Sequence, residues 1–202
     1  MVTLSIIGTA GRDKTKKLTL DHFNYMHYIV EQFIDNNNLL DKEQKSEQKD
    51  TKSLTLVSGG AAWADHVAVD FFLKKSEIYD NDTLKLILYL PCKIVIQDGE
   101  HRYYDSGSKD WRVNPGKMSN TYHKAFGSVI GRDTIKEIVD TKATLDTTSK
   151  GFHARNTKVS KSDYIIAFTF GAGDQPEAGG TSIKMVKGEP VLARDERLRQ
   201  RN

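Results

Sequence analysis

Short apolar runs rich in β-branched residues alternate along the chain with stretches in which apolar residues recur every three or four positions. A short continuous apolar run is typical of a buried parallel strand, and the wider spacing is typical of a helix with one apolar face. The pattern predicts strands over residues 2–7, 54–57, 84–90, 164–170 and 190–193. It predicts helices over residues 20–37, 61–75, 153–160 and 181–187.

Strands that alternate with helices indicate βαβ units, and therefore a parallel sheet with helices on both faces. We expect an α/β fold of Rossmann-like type, in which ligands bind at the carboxyl ends of the strands. The length fits a single domain over residues 1–202. The periodicity breaks down between residues 93 and 150, where only short helical patches appear near residues 120–129 and 133–139, so this segment is predicted to be an irregular insertion.

The charge balance and the cysteine content restrict the function classes. The 30 basic and 27 acidic side chains leave a net charge of only +3, which disfavours nucleic-acid binding. No apolar run is long enough for a transmembrane helix, and the N-terminus lacks the pattern of a signal peptide. The single cysteine, Cys92, fits a reducing compartment. We expect a cytoplasmic protein that does not bind membranes.

The six histidines show no spacing typical of metal ligands, so neither a metal nor a cofactor is expected. Aromatic and basic residues are instead concentrated in the segment 93–150. They could form a lid that stacks a base, or an irregular cap that packs for stability. The residues concerned are His101, Arg102, Tyr103, Tyr104, Trp111, Arg112, Tyr122 and His123.

Three glycine-containing turns follow predicted strands, over residues 8–12, 58–61 and 171–181. Glycine lets the backbone approach a ligand closely, and a helix that begins after the turn offers free N–H groups to a phosphate. The spacing matches neither a dinucleotide fingerprint nor a P-loop. We expect Gly60→Val to abolish ligand binding with the fold retained. The first two turns supply the candidate ligand-binding residues Gly8, Thr9, Gly11, Arg12, Ser58, Gly59, Gly60 and Ala61.

Four segments, taken in order, resemble the SLOG superfamily of Rossmann-like nucleotide-binding proteins: IIGTAGR, LVSGGAAWADHVAV, GFHARNTKVSKSDYIIAFTFG and PEAGGTSIKMVKGEPV. This superfamily includes the Lonely Guy phosphoribohydrolases, the YpsA-like proteins and ligand-sensing domains of some antiviral effectors. The resemblance covers about 110 of the 202 residues. It implies that ligand is also contacted by residues in the later segments, namely Asp65, Arg155, Asn156, Gly179, Gly180 and Thr181.

The chain departs from the Lonely Guy pattern P-G-G-x-G-T-x-x-E at its last position. Aligned on Pro176 and Gly180, the chain has Lys184 in place of the glutamate that such enzymes need to cleave the N-glycosidic bond. A cation cannot stabilise an oxocarbenium-like sugar or act as that base. Glu177 is the candidate catalytic residue that could substitute for it.

Two functions therefore stay open at the level of sequence. The preferred one is a sensor or sequestering protein that binds a nucleotide or an NAD-derived ligand, similar to a cyclic nucleotide or ADP-ribose, without turnover. The alternative is an N-glycosidic-bond enzyme, either a nucleoside-monophosphate phosphoribohydrolase or a relative of the deoxyribosyltransferases. The expected partners are the small-molecule ligand and further copies of this chain in a homo-oligomer.

Overall fold

The computed structural model describes residues 1–41, 52–149, 151–170 and 191–192, and the account below concerns those residues. Eight strands and five helices lie within these ranges. In chain order they are β1 Val2–Gly8, α1 Leu20–Asn36, β2 Leu54–Ser58, α2 His66–Lys75, β3 Leu84–Tyr89, β4 Ile94–Gln97, β5 Glu100–Tyr103, α3 Pro115–Ile130, α4 Thr134–Asp140, β6 Thr144–Asp146, α5 Gly151–Val159, β7 Tyr164–Phe168 and β8 Val191–Leu192.

The main sheet has the strand order β6-β3-β2-β1-β7-β8, and every pair of neighbours is parallel. The parallel α/β sheet predicted from the sequence is confirmed. The chain moves outward from β1 through β2 and β3 to β6, and then returns to β7 on the other side of β1. Such a reversal leaves a crevice at the carboxyl ends of the two strands concerned, where ligands bind in open α/β sheets.

Helices cover both faces of this sheet. Successive side chains of a strand point to opposite faces, so the strands contribute to a separate core on each side. Leu4 and Ile6 of β1 belong to the larger core, which also contains the buried side chains of α1 and α2. The opposite face carries a smaller core that packs against α5. This core consists of Ile7, Val57, Val159 and Ala167.

The segment 93–150 is more regular than its sequence predicts. It forms the antiparallel hairpin β4–β5 and the helices α3 and α4, and its last strand, β6, pairs with β3 and extends the main sheet. Helix α3 has Pro115 in its first turn and ends at Gly131, which has a φ of 71°. Helix α4 begins after Asp133, whose carboxylate accepts the backbone N–H groups of two residues in the first turn. The predicted helical patches at 120–129 and 133–139 correspond to α3 and α4, whereas the strands were missed because they are only three or four residues long.

A buried ionic network joins this segment to the sheet-covering helices. Asp70 of α2 is only 2% exposed, and its carboxylate lies 3.1 Å from Nε2 of His27, 2.7 Å from Nζ of Lys74 and 2.7 Å from Nη1 of Arg132. Nε of Arg132 lies 3.1 Å from the carboxylate of Glu137 in α4. The network therefore connects α1, α2, α4 and the turn before α4.

We expect Asp70→Asn to destabilise the protein in a pH-dependent way. Burial raises the pKa of Asp70, but hydrogen bonds from His27, Lys74 and Arg132 outweigh burial and hold the pKa below its usual value. A carboxyl of this kind stabilises the fold above its unfolded pKa of about 4 and loses that contribution as the pH falls toward the folded pKa. The variant should lose about 1.5–3 kcal/mol of unfolding free energy at pH 7.

Urea denaturation at pH 7 and pH 3 measures this loss. The control is Asp82→Asn, since the side chain of Asp82 is fully exposed and lies 3.7 Å from Nζ of Lys85. The control should keep wild-type stability. An equal loss for Asp70→Asn at both pH values would contradict the role assigned to the ionised carboxylate.

Candidate functional site

The first two glycine-containing turns meet at the carboxyl edge of the sheet, as predicted. Gly8 pairs with Phe168 of β7 in the parallel register, and the backbone N–H of Thr9 donates to the Phe168 carbonyl at 2.9 Å. The carbonyl of Thr9 accepts the N–H of Ala64 at 3.2 Å, which links the first turn to the loop after β2. A Cβ on Gly11, which has a φ of 70°, would lie 2.7 Å from the indole nitrogen of Trp63 in that loop. The first turn is therefore packed on both sides.

The third predicted turn lies outside the described residues. This applies to the candidate ligand-binding residues Gly179, Gly180 and Thr181 and to the candidate catalytic residue Glu177. Their roles remain predictions.

Buried side chains hold the carbonyl groups of the second turn. The carbonyl of Gly59 accepts a hydrogen bond from Nη1 of Arg155 in α5. The carbonyl of Gly60, which has a φ of 63°, accepts from the hydroxyl of Tyr103 at 2.7 Å and from Nε2 of His123 at 3.1 Å. Burial raises the pKa of Tyr103, so its hydroxyl stays protonated and donates. The segment 93–150 thus fixes the orientation of this turn.

The tautomer of His123 follows from its two partners. Burial and the nearby His66 lower the pKa of His123 to about 3, so its ring is neutral. A carbonyl oxygen accepts only, so Nε2 must carry the proton, and Nδ1 accepts from the hydroxyl of Thr134 at 2.9 Å. Neither Tyr103 nor His123 was among the predicted ligand-binding residues. Their partner, the carbonyl of Gly60, is 43 and 63 residues away in the chain, and no local pattern indicates such contacts.

The helix predicted over residues 61–75 would place Asp65 one turn after its start, but in the structure Asp65 precedes the helix. Helix α2 begins one residue after Asp65, and the residue is 5% exposed. Its carboxylate accepts the N–H of Ala61 at 3.4 Å, and the backbone N–H groups of Gly59 and Gly8 also act to lower its pKa. A carboxylate of the protein itself therefore binds the backbone groups that the sequence assigned to a ligand phosphate.

Arg155 balances this buried carboxylate. The side chain of Arg155 is buried, and Nη2 lies 3.7 Å from the Asp65 carboxylate. Burial raises the pKa of Asp65, while Arg155 and the backbone N–H groups act against this rise. Arginine keeps its proton in proteins, so Asp65 supplies the counter-charge that a buried guanidinium needs. The next residue, Asn156, is also buried. The predicted contact of Arg155 and Asn156 with phosphate stays a prediction.

Arg12 is the cation of the first turn that faces solvent. Its guanidinium carbon lies 5.5 Å from the ring centre of Phe152 and 5.8 Å from that of Tyr122. The guanidinium carbon of Arg155 lies 5.3 Å from the same Phe152 ring. Burial lowers the pKa of Arg155, and the positive charge of Arg12 lowers it further. Within the part of the chain that the structure describes, no carboxylate forms a salt bridge with Arg12.

Two further findings bear on cofactors and membranes. Within residues 1–41, 52–149, 151–170 and 191–192, no group of three or more His, Cys, Asp or Glu side chains could hold a metal ion. In the same ranges, no helix combines the length and the apolar character needed to cross a membrane.

Sequence comparison relates the chain to a viral protein. It is 34% identical over 188 residues to "Uncharacterized protein R261" of Acanthamoeba polyphaga mimivirus, and the match covers 89% of this chain and 87% of that protein. The chain belongs to the family of this mimivirus protein. No protein-family model and no solved structure matches the chain. The similarity to the mimivirus protein therefore spans most of both chains and is not confined to the glycine-containing turns.

Proposed function

We propose that the chain binds a phosphorylated, nucleotide-derived ligand in the crevice at the carboxyl ends of β1, β2 and β7, as a sensor or sequestering protein. The observation that carries the proposal is the exposed guanidinium of Arg12, which lies against the Phe152 ring beside the buried Arg155. Arg12 and Arg155 lie 5.5 and 5.3 Å from the centre of Phe152, at the point where the strand order reverses. Asp65 balances the charge of Arg155, whereas no carboxylate among the described residues forms a salt bridge with Arg12, so the exposed guanidinium of Arg12 favours an anion beside it.

The surroundings of the arginines support a nucleotide-derived anion over a bare inorganic one. Phe152 and Tyr122 place aromatic surface directly beside Arg12. Nucleotide ligands combine a phosphate with a flat base, and aromatic rings beside arginines bind both parts. The resemblance of the glycine-containing turns to the SLOG superfamily supports the same ligand class, and we propose membership of that superfamily on the same grounds.

The acidic groups near the described turns favour binding without turnover. Asp65 is buried, and its carboxylate accepts the backbone N–H of Ala61 and lies 3.7 Å from Nη2 of Arg155. A general acid or base must reach the bond that it cleaves, which this arrangement does not support. A catalytic role would therefore depend on Glu177, which lies outside the described residues.

Replacement of Arg12 tests the proposal. Arg12→Ala should weaken the binding of AMP by about 1.5–3 kcal/mol, because one charge-assisted hydrogen bond to phosphate is lost. The side chain is exposed, so the fold should be unchanged. The measurement is isothermal titration calorimetry with AMP at about 50 mM and about 500 mM NaCl. The Debye length is shorter at the higher salt concentration, so the difference in affinity between the wild type and Arg12→Ala should be smaller there.

Lys14→Ala is the matched control, because Lys14 is an exposed cation of the same loop. It should keep the wild-type affinity for AMP. Equal affinities of the wild type and Arg12→Ala, or a wild type that binds none of AMP, GMP and ADP-ribose, would overturn the proposed function.

A further inference from the structure

The strand β6, at one side of the main sheet, has an open edge. Among the described residues, β6 pairs with β3 on one side and with no strand on the other. The carbonyl of Asp146 accepts the N–H of Leu90 at 2.8 Å, so the backbone groups of Asp146 point toward β3. Backbone groups of neighbouring strand residues point to opposite sides, so the N–H and the carbonyl of Leu145 point to the open edge. Leu145 is the middle residue of the three in β6.

Apolar surface lies beside this edge. Leu145 is 38% exposed, and Ile96 of the β4–β5 hairpin is 71% exposed. Both residues line a groove of about 360 Å³, in which six of the nine lining residues are aliphatic. Asp146 contacts Lys158 of α5, so the adjacent Leu145 points to the opposite face of the sheet. The unpaired backbone groups and the exposed apolar side chains therefore coincide at Leu145.

The charges of β6 favour an identical strand as the partner. Exposed edges are commonly protected by lysine or proline, and β6 contains neither. Its single charged residue, Asp146, lies 2.8 Å from Nζ of Lys158. In an antiparallel pair centred on Leu145, Asp146 of one copy would lie opposite Thr144 of the other, so no like charges would face each other.

We propose that β6 pairs in antiparallel orientation with β6 of a second copy of this chain, about a twofold axis at Leu145. The two Leu145 residues then exchange both N–H···O bonds, and the two sheets become continuous. Strands of three residues give a small interface, so the dimer should be weak and should form only as the protein concentration rises. This inference is independent of the proposed function, because the ligand crevice lies at β1, β2 and β7.

Sedimentation velocity over a range of protein concentrations tests the pairing. The wild type should shift from monomer to dimer as its concentration rises. Leu145→Lys should weaken dimerisation by roughly 10-fold or more, because two ammonium groups would meet at the axis and the apolar contact would be lost. Ile78→Lys is the matched control, because Ile78 is 56% exposed and lies outside the groove. It should dimerise like the wild type.

Hydrogen exchange of the wild type, followed by NMR, tests the same pairing without a substitution. The amide of Leu145 should exchange at least about 10-fold more slowly at the high than at the low protein concentration. The amide of Leu56, which is buried in the central strand β2, should exchange equally slowly at both.

Three results would overturn the proposal. The first is a wild type that stays monomeric at every concentration. The second is a Leu145→Lys variant that is folded and dimerises like the wild type, because the interface would then lie elsewhere. The third is a Leu145 amide that is equally protected at both concentrations, because the edge would then be covered within a single chain.

Discussion

Gly60→Val should lower the free energy of unfolding by about 3–5 kcal/mol, from left-handed backbone strain and overpacking together. Gly60 has a φ of 63°, a conformation that β-branched residues rarely adopt. A Cβ at this position would collide with the side chain of Leu90 and lie 3.2 Å from the hydroxyl of Tyr103. The substitution would also displace the Gly60 carbonyl from Tyr103 and His123. Thermal and urea denaturation followed by circular dichroism measure the loss.

Gly131→Val is the matched control, because Gly131 has a φ of 71° and no atom would lie within 4 Å of its Cβ. This variant carries the backbone strain alone and should lose about 1–2 kcal/mol. Similar losses in the two variants would show that the packing around Gly60 is unimportant. The structure also changes the expectation that Gly60→Val abolishes ligand binding with the fold retained, because a loss of binding would now follow from unfolding.

Asp65→Ala should cost about 3–5 kcal/mol of unfolding free energy, because it leaves the guanidinium of Arg155 buried without a counter-charge. The N–H group of Ala61 would lose its acceptor as well. Removing both charges in Asp65→Ala/Arg155→Met should cost clearly less than the sum of the single variants, since neither charge is then left alone. Urea denaturation of the four proteins gives the coupling energy.

A partly exposed ion pair provides the comparison. Asp146 lies 2.8 Å from Nζ of Lys158, and both side chains are more exposed than those of Asp65 and Arg155. Asp146→Ala should therefore cost less than about 1 kcal/mol. Additive losses at Asp65 and Arg155 would refute the coupled buried pair. The cycle also matters for ligand studies, because weaker binding in an unstable Arg155 variant is no proof of a contact with phosphate.

The layered architecture follows from the sequence because it depends on short-range patterns. The apolar run after Met1 and the glycine at its end are enough to predict β1, and the same holds for β2, β3 and β7. Parallel strands place their carboxyl ends on one edge, so the meeting of the turns 8–12 and 58–61 could also be predicted. Arg12 is exposed in this region, and its contact with a ligand stays a prediction.

The segment 93–150 could not be predicted in the same way. Its strands are three or four residues long, and the alternation of apolar and polar positions is too brief to separate from chance. Residues 144–146 form the strand β6 because they pair with β3, and that pairing exists only once the chain has folded back. The helices α3 and α4 were indicated by the helical patches at 120–129 and 133–139, because a helical repeat is visible over a longer stretch of sequence.

By itself, the sequence determined the element types outside the segment 93–150, their buried faces and the sheet edge at which the turns 8–12 and 58–61 meet, because hydrophobic periodicity is local. Only the tertiary structure decided which polar groups meet at that edge. Asp65 was predicted to face a ligand, and it binds the N–H groups of the protein's own turns. Tyr103 and His123 were assigned to a lid or a cap, and they hold the Gly60 carbonyl. The physical reason is that a buried polar group must find a hydrogen-bond partner, and that partner is set by packing between segments far apart in the chain.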